Sequence, residues 1–571
     1  MRKTFILILA LFTYWFLLVT DGFAGGSSRS NTWLVDIDDP VYEVAEEAAI
    51  NRGIVPPLED TPVSADVLRS ALSPDERSDK KIMKHLELPF YPVSPIVEPA
   101  FYVGYSSDKD RMHYVKTADR SFLDFKSTYK AFEVPSILKT GFTLQAGGWS
   151  VLFQPEVRKA MPFVLNNDNY TNIPGRFVDL DENFPYRGFI NYSNGLVEFT
   201  LARDRLKLGP GRWGTLSINN EIPYYDYLRG RINLGWFVFS SYLIRLNPIV
   251  TPAESEALQS MSAQENPEVN ARYEMPFYER SKHVAIHKLF LLPLPWLGLG
   301  FSELNMIGGR TPQLADFSPI IIFHNTFEEG CNNVAMSVTA QIVPLPGIKV
   351  YGEFYLDEAV VADETNKYYK PGAGGYQFGF TLLSDRYFSL GPGRFRLDGE
   401  FSLVDPWCYD RWYDFKKFTS RMVFVETGQE ARNWVDYPFG YYLGNDVMDI
   451  HLRLSYGRPG VWEAALTWNK SGLGSIDLYG WGSDSLFSHT TEEILPLRGA
   501  PTSREGVRPY EPARVVAQWN NSLRLDFGIY LKNGIKTGGW ISYTTIENRF
   551  NIEGNNTSIF DGGLTVGWKV F

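Results

Sequence analysis

From about residue 97 to the end of the chain, apolar and polar side chains alternate with a period of two. Met448, Ile450, Leu452, Leu454 and Tyr456 alternate with Asp449, His451, Arg453 and Ser455. Leu523, Leu525, Phe527, Ile529 and Leu531 alternate with Arg524, Asp526, Gly528, Tyr530 and Lys532. The same pattern runs through Val334–Ile342, Val350–Asp357 and Phe395–Leu403. A strand turns successive side chains to opposite faces, so each run predicts a strand with one apolar and one charged face. Each run has about the ten residues that a tilted strand needs to cross a bilayer. Many such strands predict an all-β fold, a transmembrane antiparallel β-barrel with lipid outside and water inside.

The punctuation agrees. Asn533-Gly534 predicts a tight hairpin between Leu523–Lys532 and a strand around Trp540–Thr545. Gly457-Arg458-Pro459-Gly460, Pro344-Leu345-Pro346-Gly347 and Gly391-Pro392-Gly393 mark further turns. Long polar stretches at 160–187, 249–281, 405–445 and 472–515 read as loops. Short turns at one end and long loops at the other are the asymmetry of outer-membrane barrels. At roughly 26–30 residues per strand with its connection, residues 97–571 imply about 16–18 strands. The last strand is apolar at Leu564, Val566, Trp568 and Val570, one position out of phase with the C-terminal Phe571.

The first hundred residues follow other periods. Arg2, Lys3 and the apolar run Phe5–Val19, with Gly22-Phe23-Ala24 behind it, predict a secretory signal peptide over residues 1–24. Residues 25–95 predict a small acidic helical domain, placed in the periplasm, able to plug or cap one barrel end. Val41–Asn51 spaces its apolar residues helically, Gly53 offers a stop, Ser64 can cap a second helix, and Pro74-Asp75-Glu76 opens a third. The barrel is expected over residues 96–571.

Composition narrows the function. The chain has 571 residues, 44% hydrophobic and 15% aromatic, with a net charge of −11. That balance excludes a general nucleic-acid binder, which needs excess Lys and Arg to neutralise phosphates. Mean hydropathy is −0.19, as lumen-facing residues dilute lipid-facing ones. Cys331 and Cys408 have no metal-site spacing and form at most one disulfide.

Candidate chemistry is sparse. His283 and His287 lie four apart but in strand surroundings, so no metal is expected. Glu303, Glu353 and Asp357 read either as lumen carboxylates matched to Arg203, Arg205, Arg396 and Arg453 or as a source of paired glycosidase carboxylates; the first reading is preferred. No nucleophile elbow or HExxH motif occurs, so no enzyme and no cofactor are expected. In Ala202–Gly211, continued alternation would put Arg203 on the lipid face, so the strand must leave the membrane there or be re-phased by a bulge. Trp407, Tyr409, Trp412 and Tyr413 stand among Asp405, Asp410 and Arg411, a mixture suited to sugar rings and hydroxyls, with loop packing as the alternative.

The run Ala202–Pro223 (ARDRLKLGPGRWGTLSINNEIP) resembles the RDR…GPG…LSDNAP signature of Wzi-like capsule-assembly outer-membrane proteins. His283–Gly309, Phe317–Asn325, Asn332–Glu358 and Asp405-Pro406-Trp407 are similar in order and spacing, over roughly residues 190–460. Leu208 departs from the expected aromatic, and Asn219-Asn220-Glu221 from Asp-Asn-Ala. The resemblance implies a barrel of about 18 strands with a periplasmic helical bundle, acting as a non-enzymatic lectin that holds surface polysaccharide. Arg203, Arg205 and Arg212 would contact a uronic acid or phosphate group of the glycan, Asp204 belongs to the same polysaccharide-binding set, and Trp407, Tyr409 and Trp412 would stack on sugars. A porin is the alternative. Expected partners are surface polysaccharide, outer-membrane lipid and the barrel-assembly machinery, with no nucleic acid; the expected state is a monomer in the bacterial outer membrane.

Overall fold

The computed structural model describes residues 32–86, 93–116, 120–252, 254–255, 280–318, 322–323, 332–359, 372–384, 392–410, 416–425, 432–474, 478, 516–531 and 534–569. The expected signal peptide, Cys331, Trp412, Tyr413 and Phe571 lie outside these residues. Eighteen strands close into one antiparallel barrel, at the upper end of the expected number. They are β1 (Val93–Ser106), β2 (Leu138–Ala146), β3 (Trp149–Val157), β4 (Tyr186–Ser193), β5 (Val197–Asp204) and β6 (Tyr225–Asn233). Next come β7 (Phe237–Leu246), β8 (Lys282–Leu294), β9 (Leu297–Gly308), β10 (Asn332–Leu345), β11 (Ile348–Glu358) and β12 (Ala373–Leu383). The last are β13 (Arg394–Val404), β14 (Val447–Arg458), β15 (Trp462–Leu473), β16 (Gln518–Tyr530), β17 (Ile535–Glu547) and β18 (Thr557–Trp568). Each pairs with its sequence neighbour, and β18 returns to β1 through Ala100↔Gly567 to Ser106↔Asp561.

The wall follows from the alternation. Leu523, Leu525, Phe527 and Ile529 on β16 are exposed to the outside, while Arg524 and Asp526 line the interior. Leu564, Val566 and Trp568 are exposed on β18, which is the out-of-phase apolar set of the last strand. Tight turns close one end, with Gly347, Gly460 and Gly534 at φ +89°, +74° and +77°, values that glycine adopts without steric cost. All the long connections leave from the opposite end. There Thr419–Val425, Arg432–Pro438, Ser121–Leu123 and Tyr114–Lys116 form a small four-stranded sheet. No described helix is long and apolar enough to cross a membrane.

The N-terminal segment sits in the short-turn mouth of the barrel. Its helices are α1 (Val41–Asn51), α2 (Ala65–Ala71), α3 (Pro74–Ser78) and α4 (Lys80–Leu86). Val41, Val44 and Ala45 of α1 pack with Leu68 and Leu72 in a small core of their own. Gly53, at φ +73°, turns the chain out of α1. Ser64 occupies the N-cap of α2 but makes no side-chain capping bond. Ser73 and Glu76 form a reciprocal capping box at α3. The fourth helix is not among those expected from the sequence. Val55 N–H donates to Pro295 O at 2.8 Å and Gly347 N–H to Ile50 O at 3.0 Å, tying the segment to two short turns.

Candidate functional site

The Arg203–Asp204–Arg205 run is built by β5. Val197, Phe199 and Leu201 are exposed on the outer face, and the register with β4 and β6 continues unbroken to Arg203. No bulge re-phases the strand, so Arg203 does point outward. It is tolerated because the wall turns polar there: Asp226 accepts two 2.6 Å bonds from it, and its guanidinium lies 4.5 Å from the Tyr186 ring and 4.1 Å from the Tyr224 ring. Asp204 turns inward and accepts from Arg187 Nε at 2.8 Å. Arg205 reaches Asp36 at 3.2 Å and Asp38 beside it. Arg203 is thus paired within the wall, while Arg205, and Asp204 through Arg187, tie the wall to the N-terminal segment, so all three side chains already have partners inside the protein.

The following connection, residues 205–224, folds down into the lumen. Lys207–Leu208 pairs with Asp60–Thr61 of the N-terminal segment, and Leu208 bridges to Ile218. Segment 59–62 is pinned to the wall at β8 and β10: Lys288 Nζ lies 3.1 Å from Glu59 and 3.0 Å from Asp60, and Thr339 donates to Glu59 at 2.6 Å. The Gly-Pro-Gly block supplies the close approaches. A Cβ on Gly209 would lie 2.7 Å from Glu353 Oε2, and one on Gly211 would collide with Gly214 O. Arg212 N–H donates to Glu400 at 2.6 Å, while its guanidinium meets Glu43 at 3.2 Å and Asp398 at 3.6 Å. Beside it the Trp213 ring stacks on His451 of β14, centroids 4.6 Å apart and 9° from parallel.

Of the aromatic cluster, Trp407 and Tyr409 lie among the described residues. Trp407 is 6% exposed and Tyr409 fully buried. Tyr409 donates its hydroxyl to Leu216 O at 2.9 Å and accepts from Tyr441 N–H at 3.0 Å. Both are buried as folded, and Tyr409 packs under the inward loop, in line with the loop-packing alternative. Cys408 is buried between them.

The charges explain why α1 stays in the barrel. Glu46 lies 2.7 Å from Lys349 and 2.6 Å from Arg396; Glu47 lies 3.2 Å from Arg394. Burial works against ionising Glu43, but Arg212, Arg396 and Arg453 outweigh it and hold its carboxyl at about 2. Glu46 is held well below the usual carboxylate range in the same way, burial being outweighed by Lys349, Arg396 and Arg212. At the other end of the inward loop burial dominates, and Glu221 is pushed up to about 7 despite Arg205.

One polar crevice of about 1000 Å³ remains between the inward loop, α1 and the wall from β14 to β18. Its lining includes Trp213, His451, Asn469, Asn520, Arg524 and Trp540. His451 Nε2 is 2.9 Å from Asp449, 3.2 Å from the Tyr442 hydroxyl and 3.1 Å from Asn469 Nδ2, which fixes the ring under Trp213. A larger space of about 2780 Å³ runs past Asp36, Lys139, Glu156 and Arg187. The charges there are largely paired already, as Lys139 with Glu156 at 3.6 Å and Arg187 with Asp36 at 3.8 Å.

Glu303, Glu353 and Asp357 are buried and do not line the crevice. Glu353 accepts from Leu216 N–H, Ser217 Oγ and Ser337 Oγ at 3.0, 2.6 and 3.0 Å, so its role is to hold the inward loop. His283 lies 3.6 Å from Asp316 and the His287 ring stacks on Phe323 at 4.2 Å. Trp213 stands inside the quoted motif and was open to selection from sequence. Its partner His451 comes from a strand more than two hundred residues on, which no local signal connects.

No family model matches the sequence, and no curated protein matches it. Among solved structures the chain is similar to Wzi of Escherichia coli, described as an outer-membrane protein of group 1 capsule assembly and a carbohydrate-binding β-barrel. The identity is 11%, the coverage 94% of this chain and 99% of that one, and the TM-score 0.53. OprD of Pseudomonas aeruginosa aligns at 8% identity over 84% of this chain and 94% of that one, with a TM-score of 0.38, too low to support an argument. The resemblance carried by the Ala202–Pro223 block is thus matched by architecture: this chain has the fold of an outer-membrane β-barrel similar to Wzi.

Proposed function

We propose that this barrel binds and anchors surface polysaccharide without transforming it. The observation carrying the reading is the filled lumen. The inward loop and the N-terminal segment meet inside the barrel through Asp60↔Leu208 and Thr61↔Lys207, leaving a crevice lined with ring faces, amides and charged groups. Ring faces pack against the C–H faces of sugars, while amides and charges hydrogen-bond the hydroxyls. Wzi, the similar fold, is described as carbohydrate-binding, which supports the same reading here. Glu303, Glu353 and Asp357, the carboxylates considered for a glycosidase pair, are buried and do not line the crevice, which supports binding over catalysis.

The test combines two measurements on full-length protein folded in detergent: binding of the host's own extracted surface polysaccharide, and conductance in planar bilayers. Saturable binding with negligible conductance is expected. Steady conductance with no binding would replace the anchor with a porin.

A further inference from the structure

The expected guanidinium ligands for an acidic glycan are occupied within the protein, but one that the sequence did not flag is not. Arg111 lies just beyond β1 and lines the crevice. It is 3% exposed. Its guanidinium sits 4.0 Å over the ring of Tyr170, a residue that the short strand Asn169–Thr171 brings against β1. Nη1 donates to Asn167 O at 2.7 Å, whereas Nε and Nη2 meet no acceptor among the described residues.

The neighbouring charges leave it without a counter-ion. Asp108 lies 2.7 Å from Arg549 and 3.3 Å from Lys130; Asp110 lies 3.4 Å from Arg549. Asp124 lies 3.2 Å from Lys126, and Asp561 3.6 Å from Lys130. Every one of these carboxylates already has a cation, and none is within ion-pair distance of Arg111 among the described residues. Lys207, on the inward loop, also lines the crevice and makes no ion pair among the described residues. A buried cation with no counter-ion is costly to keep. The planar guanidinium fork matches a carboxylate in bidentate fashion, and its strength rises where water is excluded. Beside it, Phe550 stacks on His113 with centroids 3.9 Å apart, giving the same end of the crevice an apolar platform.

We propose that the crevice is a subsite for an acidic glycan, in which Arg111 takes the carboxylate of a uronate residue while Lys207 meets negative charge further along the chain. The inference rests on the polysaccharide-binding reading and names its ligand class.

The test uses full-length folded protein and two probes: the host's extracted surface polysaccharide, and the same material with its carboxyl groups chemically reduced to hydroxymethyl groups. Native polysaccharide is expected to bind the wild type at least tenfold more tightly than the reduced form. Arg111→Gln should erase that preference, and Arg111→Lys should restore part of it, since charge returns without the fork. Lys207→Gln should narrow the preference by a smaller factor. Equal binding of both probes by the wild type would overturn the carboxylate assignment, needs no variant to fold, and would leave the polysaccharide reading standing. Arg111→Gln weakening both probes alike would place a phosphate or hydroxyl there instead. Binding of neither probe would sink the polysaccharide reading itself.

Discussion

Arg203 and Asp226 face each other across β5 and β6 on the outer wall, joined by two hydrogen bonds of 2.6 Å. The pair lets a strand carry an arginine on its lipid-side face where the apolar layer ends. Both side chains remain partly exposed, which limits what the pair contributes. Arg203→Ala should therefore cost about 1 kcal/mol in unfolding free energy and leave polysaccharide affinity unchanged. Lost affinity with undiminished stability would return Arg203 to the binding site.

The acidic helix in the barrel mouth makes a pH prediction. Glu43, at about 2, and Glu46, well below normal, both have folded values depressed from the ordinary glutamate value of 4.5. A depressed carboxyl contributes stability that is complete above the unfolded value and disappears as pH falls through the folded one. The plug should hold firmly above pH about 4.5 and loosen progressively toward pH 2. Bilayer conductance across that interval checks it; a plug equally tight throughout would contradict the charge account.

Within the inward loop, Gly209 has φ +130° and a Cβ there would crowd Glu353 and Thr215. Gly209→Ala should cost roughly 1–3 kcal/mol of backbone strain, plus the contact. The barrel wall should survive, because none of its ladder bonds involve this residue. Increased single-channel conductance with an unchanged β-sheet circular dichroism signal is the expected pair of results.

Tyr409 and Trp213 separate packing from recognition. Tyr409→Phe leaves the Tyr441 N–H without its acceptor and should cost about 1–3 kcal/mol of stability with little change in affinity.

Trp213 is half-buried at the crevice, so Trp213→Ala should weaken polysaccharide binding by roughly three- to tenfold through the lost ring face. A titration on each variant, paired with its thermal midpoint, tells the two roles apart. If Trp213→Ala binds as the wild type does, the crevice is not where the glycan sits.

The barrel was open to reading from sequence because side-chain facing in a strand is a local property. Met448 to Tyr456 and Leu523 to Leu531 assign their own inside and outside by alternation, and no distant residue is needed to decide it. Gly347, Gly460 and Gly534 likewise mark their turns by a backbone requirement met within a few residues. Even the outward Arg203 followed from counting along β5.

What the tertiary structure alone decided is the contents of the lumen. Glu59 finds Lys288, Glu46 finds Lys349 and Arg396, and Trp213 finds His451, across hundreds of positions and without any period to announce the pairing. Whether an arginine is free for a ligand depends on which carboxylates share its space. Arg205 and Arg212, attractive by motif, proved to be engaged, and Arg111, inconspicuous in the sequence, has no counter-ion among the described residues. A closed barrel brings every strand to one interior, so charge balance there is settled by the whole circle of strands and its plug, not by any stretch of chain.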